Sequence, residues 1–266
     1  MQGFADGRVE LELDKRGVAT VWLNRPERNN AYDGELILGL LAAFGELAGD
    51  PDVRIVVLRG RGKHFQVGAD LSWLKAVATL SPEENVQISR NTFNAVHGLL
   101  TFPVPTVALI HGGCFGGGTG IAAAADIVVA SEDAIFSITE ARWGVMAGII
   151  IPHLNAAIGP RNVRRYAATC ERFDARTAKE LGLVHQLCET GGLEQAGATI
   201  IDGLLMSAPD ALRQTKMRTL KEAGLLLRDA QIEELVQEHS AKRQSGEADE
   251  GLASFLEKRP PSWYRG

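Results

Sequence analysis

Residues 111–131 read HGGCFGGGTGIAAAADIVVAS, and this glycine-rich stretch constrains the fold more than any other part of the sequence. Six of its first ten residues are glycine, and an alanine run and a short apolar segment follow. Because glycine has no Cβ atom, its backbone N–H can approach a ligand closely. A helix that begins near Gly117 would also present N–H groups without intrahelical partners at the positive end of its dipole. The stretch therefore predicts either a cradle for developing negative charge or a tight strand-to-helix turn packed against another element.

A second loop, GKHFQVGADL at residues 62–71, has the same character. It follows an apolar strand, contains Gly68 and leads into a short helix at Asp70 and Leu71. Ala69, next to the glycine, is small and offers a backbone N–H. Two such loops can direct two N–H donors at one oxygen atom, an arrangement called an oxyanion hole.

The overall composition narrows the class of protein. The 266 residues are 45% hydrophobic and 23% charged, which is ordinary for a globular chain with a sizeable core, either one large domain or a domain with an appendage. The net charge of −5 gives no reason to expect nucleic acid or an anionic membrane as a partner. The sequence shows no signal-peptide pattern and no apolar run of roughly 18 residues. Three widely spaced cysteines, without a CxxC or HExxH motif, predict a reducing, cytoplasmic setting and no metal site.

Hydrophobic patterns alternate between strands and helices along the first 140 residues. We expect strands at VELELD, VATVWLN, VRIVVLRG, TVALIHG, DIVVAS and AIFSIT, the last two joined by a turn. Helices are expected after an Asp33 cap, over residues 82–101 after a Ser81 cap, and over residues 117–125. Beyond residue 151 the pattern is mostly helical, with one short strand at LVHQLC. This order predicts an α/β arrangement with a helical tail.

Three motifs carry a resemblance to a known family. In their order and spacing, GKHFQVGADL, GGCFGGGTGIAAAADI and FSITEARWGV resemble the enoyl-CoA hydratase/isomerase (crotonase) superfamily. The similarity extends to VWLNRPERNNAY near the start, RRYAATCERFDARTAKELGLVHQL in the middle and GLASFLEKRPPSW at the end. The resemblance implies a crotonase-type α/β spiral of repeated β-β-α units over residues 1–200 and a C-terminal helical trimerisation region over residues 201–266. It also implies an acyl-CoA thioester substrate, no cofactor apart from the coenzyme A of that substrate, and a homotrimer or hexamer.

The resemblance assigns the central chemistry to three positions. Ala69 and Gly117 match the residues whose backbone N–H groups hold a thioester enolate. Glu140, in TEARWG, matches the acid/base residue of the family. An apolar pocket would raise the pKa of such a carboxyl toward the range useful for proton transfer. Without the resemblance, Glu140 would be interpreted as an exposed or salt-bridged loop carboxylate.

Gly120 departs from the pattern of many hydratases of this family, which have a second glutamate at that position. A lone Glu140 could activate water and return a proton to Cα, or it could move a proton between Cα and Cγ. The sequence therefore leaves several alternatives open: hydration, Δ3,Δ2-enoyl-CoA isomerisation, hydration followed by carbon–carbon cleavage, and non-catalytic acyl-CoA binding.

Other motifs favour hydration of a branched glutaconyl-CoA. GGGTGIAAAADI, RRYAATCERFDARTAKELGLV and EGLASFLEKRPPSW resemble the bacterial methylglutaconyl-CoA hydratases and, more closely, the isohexenylglutaconyl-CoA hydratases of acyclic terpene degradation. Substrates of those enzymes carry a distal carboxylate, for which the candidate cationic partners here are Arg142, Lys75 and His153. The segment GVMAGIII either lines a wide apolar pocket or belongs to a core helix.

The remaining contacts with substrate and coenzyme A are also implied by the resemblance. The matching positions are Arg28, Val67, Gly68, Leu71, Gly116, Gly148, Phe255 and Lys258. Phe255 and Lys258 resemble tail residues that reach the nucleotide of a neighbouring subunit, although Lys258 also fits an ordinary solvated lysine. Ser72 stands where a lysine is common in the family, which leaves the phosphate contacts open.

Overall fold

The structure, a computed structural model, describes residues 1–265 and consists of two β-sheets surrounded by helices. The ten strands are β1 (Gln2–Phe4), β2 (Val9–Leu13), β3 (Val18–Leu23), β4 (Ile55–Gly60), β5 (Thr106–Ile110), β6 (Gly113–Phe115), β7 (Ile127–Ser131), β8 (Ile135–Ser137), β9 (Phe173–Asp174) and β10 (Gln186–Cys188). The ten α-helices are α1 (Gly34–Gly49), α2 (Leu71–Ala78), α3 (Pro82–Leu100), α4 (Gly117–Ala124), α5 (Ile151–Thr169), α6 (Ala175–Leu181), α7 (Leu193–Leu205), α8 (Pro209–Glu222), α9 (Asp229–Arg243) and α10 (Gly246–Leu256). Short 3₁₀ helices cover Pro26–Arg28, Glu140–Trp143 and Gly148–Ile150.

The larger sheet has the strand order β1-β2-β3-β4-β5-β7-β10. The pairs β1–β2 and β2–β3 are antiparallel, and all later pairs are parallel. Strands covered on both faces are apolar along their whole length, and every residue of β5, TVALI, is accordingly buried. One face of the sheet packs against α7 through a cluster that includes Val57, Leu109 and Ile201. The other face packs into the main core together with α1 and α3.

The smaller sheet shows how the chain spirals. In it β6 pairs with β8, and β8 pairs with β9. Two isolated bridges extend the same pattern, since Gln66 pairs with Cys114 of β6 and Tyr32 pairs with Ala69. Each of the strands β3, β4, β5 and β7 is thus followed by a second extended segment and then by a helix. This succession confirms the predicted α/β spiral of β-β-α units.

The predicted turn between DIVVAS and AIFSIT is present, and the differences from the expectation are three short strands. The turn after DIVVAS connects two sheets, because β7 pairs with β5 while β8 pairs with β6. The short strands β1, β6 and β9 were not predicted. Strand β6 lies inside the glycine-rich stretch and forms only through pairing with distant segments.

The C-terminal helices fold back over the rest of the chain. Helix α9 packs on α3, and α10 packs on the short helix Glu140–Trp143. Helix α7 spans the predicted boundary between residues 200 and 201, and a role of the later residues in oligomerisation stays a prediction. Within residues 1–265, no helix combines the length and the apolar character that a membrane crossing needs.

Candidate active site

A cavity of about 580 Å³ opens where the two glycine loops meet the short helix Glu140–Trp143. Helices α1 and α3 contribute apolar walls, including Leu40, Phe44 and Leu99. Helices α9 and α10 close another side of the same cavity. Residues far apart in the sequence therefore meet around one space large enough for an acyl group.

The first loop leaves one backbone donor free, at Ala69. Gly68 has a positive φ of 89°, and the Gln66 side chain bonds both its N–H and its carbonyl at 2.9 Å. Tyr32 N–H donates to the Gly68 carbonyl at 2.9 Å, and Asp70 N–H donates to the Tyr32 carbonyl at 2.8 Å. These bonds hold the backbone on both sides of Ala69. No group among the described residues accepts a hydrogen bond from Ala69 N–H, although Ala69 lines the cavity.

The second loop leaves a comparable donor at Gly117. Gly116 caps α4 with φ 51° and ψ −123°, and its N–H donates to the Ser137 carbonyl at 2.9 Å. Gly117 is the first residue of α4, so its N–H has no intrahelical acceptor and has no other within the described chain. A Cβ atom on Gly116 would lie 3.5 Å from Cα of Gly68, so the two loops are in contact. The two loops therefore meet in the fold, and the convergence of their N–H groups on one oxygen atom stays a prediction.

Glu140 begins the short helix beside this pair of loops. A Cβ atom on Gly116 would lie 3.1 Å from its Oε1, while Oε2 is buried without a hydrogen-bond partner among residues 1–265. Burial raises the pKa of Glu140 to about 7, although the nearby backbone N–H groups of Glu140 and Thr139 act in the opposite direction. A carboxyl with this pKa can both accept and donate a proton near neutral pH.

The structure gives a physical reason for the absence of a second carboxylate. A Cβ atom on Gly120 would overlap Cγ2 of Ile150, which is fully buried. The space that a glutamate side chain would need at position 120 is thus filled by an apolar residue of the segment GVMAGIII. Glu140 lies beside the two glycine loops without an ion pair among the described residues, whereas Asp70, which also lines the cavity, is paired with Arg25 at 3.0 Å.

Most of the positions predicted to contact substrate or coenzyme A do line this cavity. They are Arg28, Val67, Gly68, Ala69, Leu71, Gly116, Gly117, Glu140 and Phe255. The Phe255 ring lies edge-on to Trp143 of the same chain, with the ring centroids 4.7 Å apart, so it forms a wall of its own subunit's cavity. Gly148 lies between two lining residues without lining the cavity itself, and Lys258 is exposed beyond the end of α10.

The three cations predicted to meet a distal carboxylate lie elsewhere, which corrects that prediction. Arg142 is exposed and donates to the Thr169 carbonyl at 3.2 Å, and Lys75 is exposed on α2. His153 is buried outside the cavity lining, with its Nε2 3.2 Å from Nδ1 of His97. Burial lowers the pKa of His153 to about 3, so this ring is uncharged at neutral pH.

Several lining residues were not identified from the sequence, among them Tyr32, Arg172, His239 and Arg243. The edge of the Tyr32 ring lies against α4, because a Cβ atom on Gly117 would be 2.7 Å from its Cε1. His239 and Arg243 are four residues apart on α9 and so share one helix face. Only the packing of α9 on α3 directs that face toward the cavity, so the local sequence carried no signal for it.

Comparisons with known proteins agree with this architecture. Residues 14–266 match the family described as enoyl-CoA hydratase/isomerase. A protein of Thermus thermophilus, provisionally named an enoyl-CoA hydratase, is 38% identical over 252 residues, which cover 94% of this chain and 99% of that relative. A peroxisomal Delta(3,5)-Delta(2,4)-dienoyl-CoA isomerase of Arabidopsis thaliana is 30% identical, with 91% of each chain covered.

A solved structure extends the agreement to three dimensions. The crystal structure of an enoyl-CoA hydratase from Mycobacterium avium superposes with a TM-score of 0.85 at 33% identity, covering 97% of this chain and 100% of that one. The fold, the paired glycine loops and the family match over nearly the whole length all lead to one assignment. This chain belongs to the enoyl-CoA hydratase/isomerase family.

Proposed function

We propose that this protein is an enoyl-CoA hydratase that adds water across the double bond of a branched glutaconyl-CoA, of the 3-methylglutaconyl or isohexenylglutaconyl type. One observation carries the proposal. Two touching loops with unpartnered N–H groups at Ala69 and Gly117 share a cavity with Glu140, a carboxyl whose pKa is raised to about 7.

In the proposed reaction the thioester oxygen accepts hydrogen bonds from the N–H groups of Ala69 and Gly117. Negative charge builds on that oxygen as the enolate forms, and the positive end of the α4 dipole favours it. Removal of one donor from such a site typically costs about 2.7–4 kcal/mol of transition-state stabilisation. Glycine at 116 and 117 lets the thioester approach the backbone closely.

Glu140 handles both proton transfers. Its carboxylate takes a proton from water while the water oxygen bonds to Cβ of the substrate, and the π electrons of the double bond move onto the thioester oxygen. As the enolate returns to the thioester, the protonated carboxyl gives that proton to Cα. A single group can fill both roles because its pKa lies close to the working pH.

The cavity suits a branched acyl group in size and in chemistry. Its volume of about 580 Å³ and the apolar side chains of α1 and α3 would accommodate a hydrocarbon branch. Arg28, exposed at the end of a short helix and also part of the lining, is a candidate partner for the coenzyme A phosphates. We also propose assembly as a homotrimer or hexamer, as the resemblance to the family implies.

The alternative is a Δ3,Δ2-enoyl-CoA isomerase, which the lone carboxyl favours. Glu140 would then take a proton from Cα and return it to Cγ, with no water consumed. The similarity to a dienoyl-CoA isomerase of Arabidopsis thaliana supports this alternative as well.

Water labelled with heavy oxygen separates the two reactions. We expect the purified protein to convert 3-methylglutaconyl-CoA to a product that carries one labelled oxygen at Cβ, as measured by mass spectrometry of the acyl group. Migration of the double bond without label would instead identify an isomerase. If neither reaction occurs with short, branched or carboxylated enoyl thioesters, the proposed function is wrong.

The pH dependence of hydration gives a second test. We expect kcat/KM to rise with pH and to reach half its maximum near pH 7, because Glu140 must be ionised to accept a proton from water and burial raises its pKa to about 7. Below that pH the protonated form dominates in the free enzyme, and kcat/KM should fall about tenfold per pH unit. Initial rates measured from about pH 5 to 9 check this dependence. A profile that stays flat down to about pH 5 would contradict Glu140 as the base.

A further inference from the structure

Arg243 is a buried cation for which the described residues supply no anionic partner. It lies at the C-terminal end of α9, lines the cavity and is only 1% exposed. No carboxylate among residues 1–265 lies within 4.0 Å of its guanidinium group. Burial of a charge is costly unless the charge is paired, so an arginine in this state calls for an explanation.

The protein partners of Arg243 are all neutral. One Nη1 hydrogen bond reaches Oδ1 of Asn85 at 3.3 Å, and Nη2 reaches Oγ of Ser89 at 2.9 Å and Nδ1 of His239 at 3.1 Å. Asn85 is itself held by a hydrogen bond from its Nδ2 to the Val77 carbonyl at 2.8 Å. A guanidinium group has five N–H donors, so two remain for a ligand. The group is thus fixed in orientation while its charge remains uncompensated.

His239 offers a further donor at the same place. Burial and, to a smaller extent, the positive charge of Arg243 lower its pKa to about 3, so the ring is neutral. Nδ1 accepts from Arg243 and lies 2.9 Å from the Ser89 hydroxyl. The ring proton is therefore on Nε2, for which the described residues supply no acceptor. Because His239 also lines the cavity, this N–H is available to a ligand.

This group of side chains belongs to the same cavity as the proposed reaction centre. Tyr32 connects the two, because its ring contacts α4 at Gly117. Burial raises the pKa of the Tyr32 hydroxyl, and Tyr32 is close enough to Glu140 and Arg243 for both charges to act on it: Glu140 raises this pKa further and Arg243 lowers it. A substrate held by its thioester at Gly117 can therefore extend past Tyr32 toward α9.

We infer that Arg243 and His239, held by Asn85 and Ser89, bind a carboxylate at the far end of the acyl group. The inference rests on the proposed function and specifies its substrate class, an acyl-CoA whose acyl chain ends in a carboxylate. A carboxylate can accept two parallel hydrogen bonds from the planar guanidinium group. Its negative charge would neutralise the positive charge of Arg243, for which the described residues supply no anion. Arg243 thereby replaces Arg142, Lys75 and His153 as the residue that selects the substrate.

Saturated thioesters test this inference without any turnover. Glutaryl-CoA and pentanoyl-CoA have acyl chains of equal length, and so do adipyl-CoA and hexanoyl-CoA, but only the first member of each pair ends in a carboxylate. By calorimetry we expect the wild-type protein to bind the better-fitting diacid thioester about 30-fold more tightly than its neutral match. Arg243→Met should remove this preference, and Arg243→Lys should keep part of it because the charge remains without the fork.

A matched control separates recognition from structural support. Arg90 also joins α3 to α9, through its ion pair with Glu233, but it does not line the cavity. Arg90→Met should leave the preference for diacids unchanged, and thermal unfolding reports whether each variant is folded. Equal weakening of both members of a pair in folded Arg243→Met would assign Arg243 a structural role and overturn the inference. Absence of any diacid preference in the wild-type protein would overturn it too.

The outcome is independent of the proposed reaction. If the wild-type protein prefers diacids but turns over no enoyl thioester, the carboxylate site stands and the hydratase proposal fails. If the protein hydrates enoyl thioesters but binds diacid and neutral chains alike, the hydratase proposal stands and the inference about Arg243 fails.

Discussion

Replacement of Glu140 by glutamine is expected to lower kcat/KM for the enoyl thioester by about 1,000-fold or more. Glutamine keeps the shape of the side chain but can neither accept a proton from water nor deliver one to Cα. The effect should be large because Gly120 supplies no second carboxylate and Ile150 fills the space where one would lie. Loss of the enoyl thioester absorbance over time gives the rate.

The control for this variant is Glu132→Gln, which removes an exposed carboxyl from the preceding turn. Glu132→Gln should retain wild-type kcat/KM, because the residue does not line the cavity. Glu140→Gln should still bind a saturated acyl-CoA, since the N–H donors of the two loops are untouched. Normal turnover by Glu140→Gln would remove the acid/base role from this residue, and with it the mechanism proposed above.

Local signals in the sequence were sufficient for much of the fold. Asp33 accepts a hydrogen bond from Leu36 N–H at the start of α1, and Ser81 and Glu84 form a reciprocal cap at the start of α3, as the sequence predicted for the two caps. These features depend on residues three positions apart. The buried strands β4, β5 and β7 could be predicted equally well, because each is an apolar run bounded by polar or turn residues.

The contact between the two glycine loops could not be predicted from local sequence patterns. Glycines around positions 68 and 116 suggested bare backbone, but their convergence depends on the bridge between Gln66 and Cys114 and on the short strand β6. The bridge joins residues 48 positions apart in the sequence, and β6 pairs with β8, whose residues lie 22 positions later. The residue pattern suggested that two loops could direct donors at one oxygen atom, and the resemblance to a family assigned those donors to Ala69 and Gly117.

The burial of Arg243 beside the cavity could not be predicted from the sequence for the same physical reason. Its neighbours Asn85 and Ser89 lie on α3, more than 150 residues earlier in the chain. The sequence around it, EHSAKRQS, is typical of a solvated helix, and the cations predicted from the sequence were Arg142, Lys75 and His153. Burial of a charged residue is a property of packing between helices, which helical periodicity alone does not reveal.

Substitution of Gly116 by alanine is expected to lower kcat/KM by about 100- to 1,000-fold. The backbone at φ 51° and ψ −123° suits glycine, and a Cβ atom there would lie 3.0 Å from Oγ1 of Thr139 and 3.1 Å from Oε1 of Glu140. Relief of this crowding must shift the cap of α4, and the N–H of Gly117 moves with it. The strained backbone should also lower the free energy of unfolding by about 1–3 kcal/mol, as measured by urea titration.

Gly98→Ala is the matched control, because Gly98 lies within α3 and a Cβ atom there meets no other atom within 4 Å. It should raise the free energy of unfolding by up to about 1 kcal/mol through helix propensity, with turnover unchanged. In folded Gly116→Ala, binding of a saturated acyl-CoA should weaken much less than kcat/KM falls, since negative charge on the thioester oxygen is largest in the transition state. Equal losses in binding and in kcat/KM would mean that the loop only shapes the cavity, and full activity would mean that the N–H of Gly117 does not hold the enolate.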